Sequence, residues 1–452
     1  MRLRTRHAAA QMSICELRRH GPAKSGAASI CFPLALGALL SAQVALAQPA
    51  VPSTQPNLSL RDALRLALAQ NPSLRARAWD LSRADGRARQ AGTRPNPALG
   101  LDLENIGGTG SLGRSSEATV SIGQLLELGG KRAARSEAAR SDRSVISSDV
   151  ELQRLEVAAA TAARFHDLLA LESASRLAEE ELRAAEEAMS TTAVRVRSGA
   201  APAVEERRAQ VELANTRLDR VLTTERLSVA RTRLASMWGA PEAAFGALEG
   251  QFELLPSIPN LDSLLGGLNS SPGVSRWKQE IEARRGRLAV ERSRSLPDLG
   301  LAAGVRSLGD GSGRALVAGV SVPLPLFDRN HGAIQEASAA VSQSEDELAS
   351  ARAMFRSEVI EAHSAVVRSH RRLAALRQEV LPVASQAFDE MRDGFERGRF
   401  SYLDLLEARR TWIRARREDI QALLELRLAT TELARLTAVS VVDFSDRIGG
   451  QP

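Results

Sequence analysis

The sequence predicts a mainly α-helical protein with a small β part, organised as a duplicated repeat of short strands feeding very long helices. The stretch Ser321-Val-Pro-Leu-Pro-Leu-Phe-Asp-Arg-Asn-His-Gly332 carries the first observation. Upstream of it Leu316, Ala318, Val320 and Val322 alternate with Val317, Gly319 and Ser321, the pattern of a half-buried strand. Downstream, from Gly332 to about Arg392, Ala, Glu, Arg, Leu, Ser and Gln dominate and Pro382 is the only proline, so one long helix is expected. A helix of about 60 residues spans about 90 Å, too long for an ordinary globular core, and implies something tubular. The second observation is that the junction recurs. Val120-Ser121-Ile122 lies 200 positions before Val320-Ser321-Val322, Pro97-Ala-Leu-Gly-Leu101 the same distance before Pro297-Asp-Leu-Gly-Leu301, and Asn71-Pro72 before Ser271-Pro272. Three anchors at one ungapped offset mark an internal duplication, each copy running helix, strand, loop, strand, long helix, turn, helix.

Residues 1–47 read as an export leader. Arg2, Arg4, Arg6, Arg18, Arg19 and Lys24 give a basic start, Ile30 to Leu46 is apolar, and Ala45-Leu-Ala47 offers a cleavage site before Gln48. Translation can also begin at Met12. Both cysteines, Cys15 and Cys31, fall in this leader, so the mature chain is expected to hold no thiol. Against the single acid Glu16, the leader's basic residues take +5 of the chain's +6 and leave about +1 for the rest, which removes the case for nucleic acid as a partner. Aromatics are 3% of the chain, with Tyr402 the one tyrosine, so alanine and leucine must do most of the packing.

Residues 48–56 form a Pro-rich linker. The first repeat, 57–240, opens with a helix over Asn57–Asn71, Ser59 its N-cap and Leu60, Leu64 and Leu68 on one face. A second helix follows Pro72 and ends before Pro95 and Pro97. Leu99, Leu101 and Leu103 then alternate with Gly100, Asp102 and Glu104, apolar side out and polar side in, as outer-membrane strands do. A Gly/Ser-rich loop, Gly107 to Ser116, leads to a returning strand over Thr119 to Leu125. The long helix from about Lys131 to about Arg197 has no apolar run long enough to span a bilayer. Residues 241–270 connect the copies, a belt outside the tube. The second repeat, 271–440, carries the strand Leu299 to Val305, a loop Ser307 to Gly313 and the junction already described, and 441–452 is a tail. Both long helices stop at similar turns, Gly199-Ala-Ala-Pro-Ala-Val-Glu205 and Gly398-Arg-Phe-Ser-Tyr-Leu-Asp404, each a glycine stop followed by a helix restart. Four strands per chain leave open edges that lipid does not tolerate, so several chains must share one barrel.

Catalytic chemistry finds no support. His-Glu-x-x-His, P-loop, Gly-x-Ser-x-Gly and Gly-x-Gly-x-x-Gly motifs are absent, and Gly107-Gly-Thr-Gly110 lacks a P-loop's lysine. His363 and His370 stand two helical turns apart, about 10 Å, too far to share a metal, and His166 and His331 are isolated, so these read as ordinary helix residues. No cofactor, metal site or enzyme activity is expected.

The leader, the repeat, Leu126-Glu-Leu-Gly-Gly-Lys-Arg132, Pro323-Leu-Pro-Leu-Phe-Asp-Arg-Asn330 and the paired tip turns resemble the TolC-type outer-membrane efflux family across residues 57–440. The Phe-Asp-Arg-Asn-His-Gly junction is most similar to the branch that serves heavy-metal and cation RND pumps. The resemblance implies a homotrimer in which 12 shared strands form a barrel in outer-membrane lipid and the helices form a tube across the periplasm. It implies a passive exit duct joined by a periplasmic adaptor to an inner-membrane RND transporter. Carried over by position, an acidic ring at the periplasmic entrance falls on Asp404 and Glu407, with Glu205 from the first tip. The adaptor-docking turns fall on Gly199 and Gly398 with Phe395, Arg399 and Phe400. Phe400 stands where the family has a tip arginine, Phe395 where it has a tyrosine, and the strands lack an aromatic girdle. Asp404 and Glu407, three apart, share a helix face and should repel one another, raising carboxyl pKa values. Ser401-x-x-Asp404 reads equally as a capping box. A type I protein-secretion duct or multidrug duct of the same fold, and a periplasmic coiled-coil adaptor without a barrel, stay open as alternatives. The four alternating strands count against the last.

Overall fold

The computed structural model describes residues 56–104, 106, 116–250, 252, 258–308 and 313–439. The expected leader, nearly all of the linker, most of the first strand-connecting loop and the tail 441–452 lie outside the described residues.

In chain order, strand β1 (Leu58–Ser59) leads into helices α1 (Leu60–Gln70) and α2 (Pro72–Ala91), then strands β2 (Ala98–Glu104) and β3 (Glu117–Leu126). The long α3 (Lys131–Arg197) and the returning α4 (Ala203–Ala235) follow. A connector with β4 (Leu248–Glu249) and α5 (Leu261–Gly266) brings the chain to α6 (Pro272–Arg294), β5 (Leu299–Leu308) and β6 (Gly313–Ser321). The chain then runs through α7 (His331–Ala375), α8 (Leu381–Glu396) and α9 (Tyr402–Thr437). At 67 residues, α3 spans about 100 Å at about 1.5 Å per residue. No glycine or proline interrupts it.

Equivalent helix starts use equivalent chemistry. Asn71 and Ser271 each sit before a proline and cap α2 and α6 by accepting a backbone N–H through the side chain. The strand-to-helix turns are matched too: Gly130 (φ 71°) precedes α3 and Asn330 (φ 59°) precedes α7, both left-handed. Asn330 is held in that conformation by its side-chain amide, which donates to the Glu291 carbonyl at 2.8 Å and its carboxylate at 3.0 Å. The second long helix differs from expectation. It is broken into α7 and α8 by a π-helical turn, Leu376–Val380, just ahead of Pro382. Proline's missing N–H and its ring clash with the preceding turn make a regular α-helix costly there, and the wider turn accommodates both.

One antiparallel sheet runs in the order β2-β3-β5-β6, so β3 and β5 join the two copies and β2 and β6 are left as edges. The register is continuous: Leu101 pairs with Val120, Val120 with Val305, and Val305 with Leu316. Leu99, Ile122, Ala303 and Ala318 form the adjoining row. One face is therefore apolar and open, with Leu99 80% and Leu316 90% exposed. The opposite face carries Gly100, Asp102, Glu104, Glu117, Thr119, Ser121 and Arg306. There Arg306 donates to Glu117 at 3.0 Å and to Thr119 at 3.1 Å and lies 3.6 Å from Glu104.

The helical core is a mid-body cluster of alanine and leucine with few aromatics. Phe165 and Leu168 of α3, Leu234 of α4, Val359 and Leu373 of α7, and Leu423 and Leu426 of α9 belong to it. The connector adds Phe245 and Phe252, and β1 pairs parallel with β4 beside it. Where two helices must approach closely, side chains disappear: a Cβ on Gly286 of α6 would stand 2.9 Å from the Ala138 backbone of α3. His166 is buried and neutral, its pKa lowered to about 3 by burial and by nearby Arg427. Among the described residues no helix is long and apolar enough to cross a membrane.

Removing a fully buried side chain from this cluster should be costly. Leu426→Ala is expected to destabilise the helical part by about 2–5 kcal/mol, read from thermal unfolding by circular dichroism in detergent. Arg83→Ala, at an exposed surface pair with Asp80, should change it by no more than about 0.5 kcal/mol.

Candidate functional site

The two helix tips lie together and form one packed unit. At the first, Gly199 (φ 77°) ends α3; its N–H donates to the Val196 carbonyl at 3.1 Å, and Ala200 N–H donates to the Arg195 carbonyl at 2.8 Å. At the second, Gly398 (φ 75°) donates to Phe395 at 3.0 Å and Arg399 N–H to Gly394 at 2.8 Å. This is the same left-handed stop twice, and glycine suits it because a Cβ would be strained there.

Arg195 ties the tips together. Its guanidinium lies 4.6 Å from the Phe395 ring centre and donates to the Phe395 carbonyl at 3.0 Å. Within the protomer the arginine that joins the two tips therefore comes from the first tip. Beneath it Phe395, Tyr402, Leu405, Leu406, Phe388 and Ala209 form a separate apolar cluster, and Trp412 stacks on Phe388 at 5.1 Å. The placement of Phe395 on the docking surface is corrected. It is only 1% exposed, because Arg195 and Tyr402 enclose it, and it supports the turn from within. Phe400 instead folds back over Gly394, where a Cβ would meet its ring at 2.2 Å, and Arg399 is exposed.

The three acids have different surroundings. Asp404 forms a full capping box: its Oδ2 accepts from the Ser401 N–H at 3.0 Å and from the Ser401 hydroxyl at 2.8 Å, while the hydroxyl accepts from Asp404 N–H at 3.3 Å. Hydrogen bonds from the Ser401 side chain, then from its backbone, hold the Asp404 carboxyl below the usual range. Glu407 is exposed one turn further on the same face. Glu205, in the first turn of α4, is half-buried, with one carboxylate oxygen covered and without a hydrogen-bond partner.

Sequence reasoning missed the charged cross-links just beyond the tips. Arg409, 3% exposed on α9, donates to Glu212 of α4 at 2.8 Å, and Arg410 donates to the other Glu212 oxygen at 2.7 Å. Burial pushes the Glu212 carboxyl up, but hydrogen bonds and charge from Arg410 and Arg409 outweigh it and its pKa is lowered. Further along, Arg417 bridges Glu181 of α3 at 2.8 Å and Asp219 of α4 at 3.2 Å. The available signal was positional: Glu212 and Arg409 follow their tip glycines at nearly the same distance. Among the described residues no group of three or more His, Cys, Asp and Glu side chains is placed to hold a metal ion.

The Outer membrane efflux protein family matches residues 63–240 and 267–439. The chain belongs to this family. This outer membrane efflux protein is 33% identical over 379 residues to the cobalt-zinc-cadmium resistance protein CzcC of Cupriavidus metallidurans, covering 84% of this chain and 90% of the relative. It is 31% identical over 334 residues to the nickel and cobalt resistance protein CnrC of the same species, covering 72% and 76%. Among solved structures, CusC superposes with a TM-score of 0.70 at 18% identity, covering 87% of this chain and 95% of that one. VceC of Vibrio cholerae superposes at 0.67 and 19% identity, covering 84% and 96%. The protein is thus an efflux channel of the outer membrane that extends into the periplasm.

The folded pKa of Asp404 lies below its unfolded value. Its cap therefore stabilises the start of α9 above the ordinary carboxylate range and is lost as pH falls through the depressed value. Hydrogen exchange at the Ser401 amide should gain an acid-triggered opening step, and Asp404→Asn should abolish that step.

Proposed function

We propose that this protein is the exit duct of a tripartite metal-cation efflux system, a homotrimer passively conducting cations received from an inner-membrane RND transporter through a periplasmic adaptor. The observation that carries the reading is the sheet: an apolar face, a polar face and two open edges. In hydrocarbon an unpaired edge is not tolerated. All pairings are antiparallel and the strand number is even. The β6 edge of one copy therefore runs antiparallel to the β2 edge of the next, and three copies close a barrel of 12 strands. Leu99, Val120, Ile122 and Leu316 then face lipid, while Asp102, Glu104, Glu117 and Arg306 face the pore.

The repeats, 57–240 and 271–440, supply the tube, tied by the connector 241–270, after export directed by the leader 1–47 and followed by the tail 441–452. Metal cations as cargo follow from the likeness to CzcC and CnrC, named for resistance to cobalt, zinc, cadmium and nickel. At the periplasmic end Asp404 and Glu407, repeated around the axis with Glu205 nearby, would attract cations and repel anions. The turns at Gly199 and Gly398, with Arg399 and Phe400 exposed, are the surfaces offered to the adaptor, and Phe395 shapes the second from inside.

In planar bilayers the double change Asp404→Asn, Glu407→Gln should lose cation selectivity and block by multivalent cations, while trimers still form. Unaltered selectivity would reduce both acids to helix-start residues. In cells, Gly398→Val should abolish metal tolerance with trimers retained in the outer membrane. Open space surrounds that glycine, so the substitution strains only the turn, by about 1–2 kcal/mol.

A further inference from the structure

The two strand-to-helix junctions differ in what covers them. After β3 the chain is tied to the protomer: the Leu128 N–H donates to Asp298 at 3.2 Å, Lys131 pairs with Asp298 at 2.7 Å, and Glu127 pairs with Arg135. After β6, residues 321–329 are exposed without exception. Leu324 is 73%, Leu326 65% and Phe327 100% exposed. An apolar run left this open in water is costly, and it marks a contact surface.

The pattern of the run points to its occupant. Leu316, Ala318 and Val320 lie on the apolar face of the sheet, and Val322 and Leu324 continue the same two-residue spacing beyond the end of β6, up to the turn at Leu326. The intervening Pro323 and Pro325 have no N–H to pair, so the segment leaves the ladder, and it bends at Leu326 and Phe327, where the Leu326 N–H donates to the Leu324 carbonyl at 2.8 Å. The apolar face therefore runs on past the sheet at the end nearest the helices, on its periplasmic side. None of β2, β3, β5 and β6 contains an aromatic residue. Phe327 closes the apolar run at that boundary, where an aromatic ring sits well between headgroups and acyl chains.

We propose that Val322–Phe327 lies in the headgroup–acyl boundary of the inner leaflet of the outer membrane, with glycerophospholipid as its partner, and sets the depth of the barrel. This rests on the barrel reading above, since it takes the open sheet face as lipid-facing. The test uses the full-length protein in phospholipid vesicles, with Cys15 and Cys31 changed to serine and one fluorescent label at a time. The labels are placed at Leu324→Cys, Phe327→Cys, Ile122→Cys on the sheet face, and Arg83→Cys on the helical surface. A lipid nitroxide carried near the headgroup should quench the labels at 324 and 327 as fully as that at 122, and leave the label at 83 bright. Quenching at 122 without quenching at 324 and 327 would overturn the proposal and leave the barrel intact. Loss of quenching at 122 as well would take down the barrel reading and the proposal together. A disulfide formed between protomers by Phe327→Cys with Asn96→Cys, without lipid quenching, would assign the segment to a neighbouring copy and also overturn it.

Discussion

Backbone groups in hydrocarbon have no water to turn to, and in the proposed barrel this constraint governs the sheet. Within one chain it is met for β3 and β5, each paired on both sides, and left unmet along one side of β2 and of β6. The side chains obey the same constraint from the other direction. Leucine, valine and isoleucine occupy the open face, and the ionisable residues Asp102, Glu104, Glu117 and Arg306 stand together on the opposite one. A slip of one residue in any pairing would exchange the two faces. The uninterrupted register from Leu101 through Val120 and Val305 to Leu316 is what keeps the ionisable residues on one face and the apolar ones on the other.

The helices solve a different problem, length without bulk. Alanine and leucine allow α3, α4, α7 and α9 to pack closely around the mid-body cluster, and glycine removes the side chain altogether where α6 crosses α3. Four of the scarce aromatics gather at the tips. Phe388, Phe395, Tyr402 and Trp412 give the tips a core of their own. Arg195 and the Glu212–Arg409–Arg410 cross-link hold the two hairpins in register. The nearly buried Arg409–Glu212 pair is a costly way to gain stability, since both charges leave water. Its value is directional: it fixes how α4 stands against α9. Breaking one partner would leave a buried charge uncompensated.

At the tip a single residue serves two purposes without conflict. Asp404 needs one oxygen to cap α9, and the residue remains exposed. The hydrogen bonds that commit it to the cap also keep it ionised, so the local role strengthens the charge that the proposed entrance requires. Glu205 is different in kind. Its half-buried carboxylate, with one oxygen unpartnered, depends on how the first tip is packed.

Much of this was legible in the sequence because it is written in local terms. The run from Lys131 to Arg197 has no helix breaker, and the alternation at Leu99, Leu101 and Leu103 repeats at the sheet's other strands. The glycines at 199 and 398 mark the two tips, where a left-handed residue turns the chain out of a long helix. The 200-residue offset of the matched anchors supplied the architecture, since equal segments fold alike. What stayed hidden was set by contacts across hundreds of residues. That Arg195 rather than a residue of the second tip holds the turn, that Phe395 is enclosed, and that Glu212 meets Arg409 depend on how α3, α4 and α9 are laid side by side. No spacing along the chain reports it. The π turn before Pro382 belongs with these: the proline announced a disturbance, but only the structure shows that the helix widens and continues instead of ending.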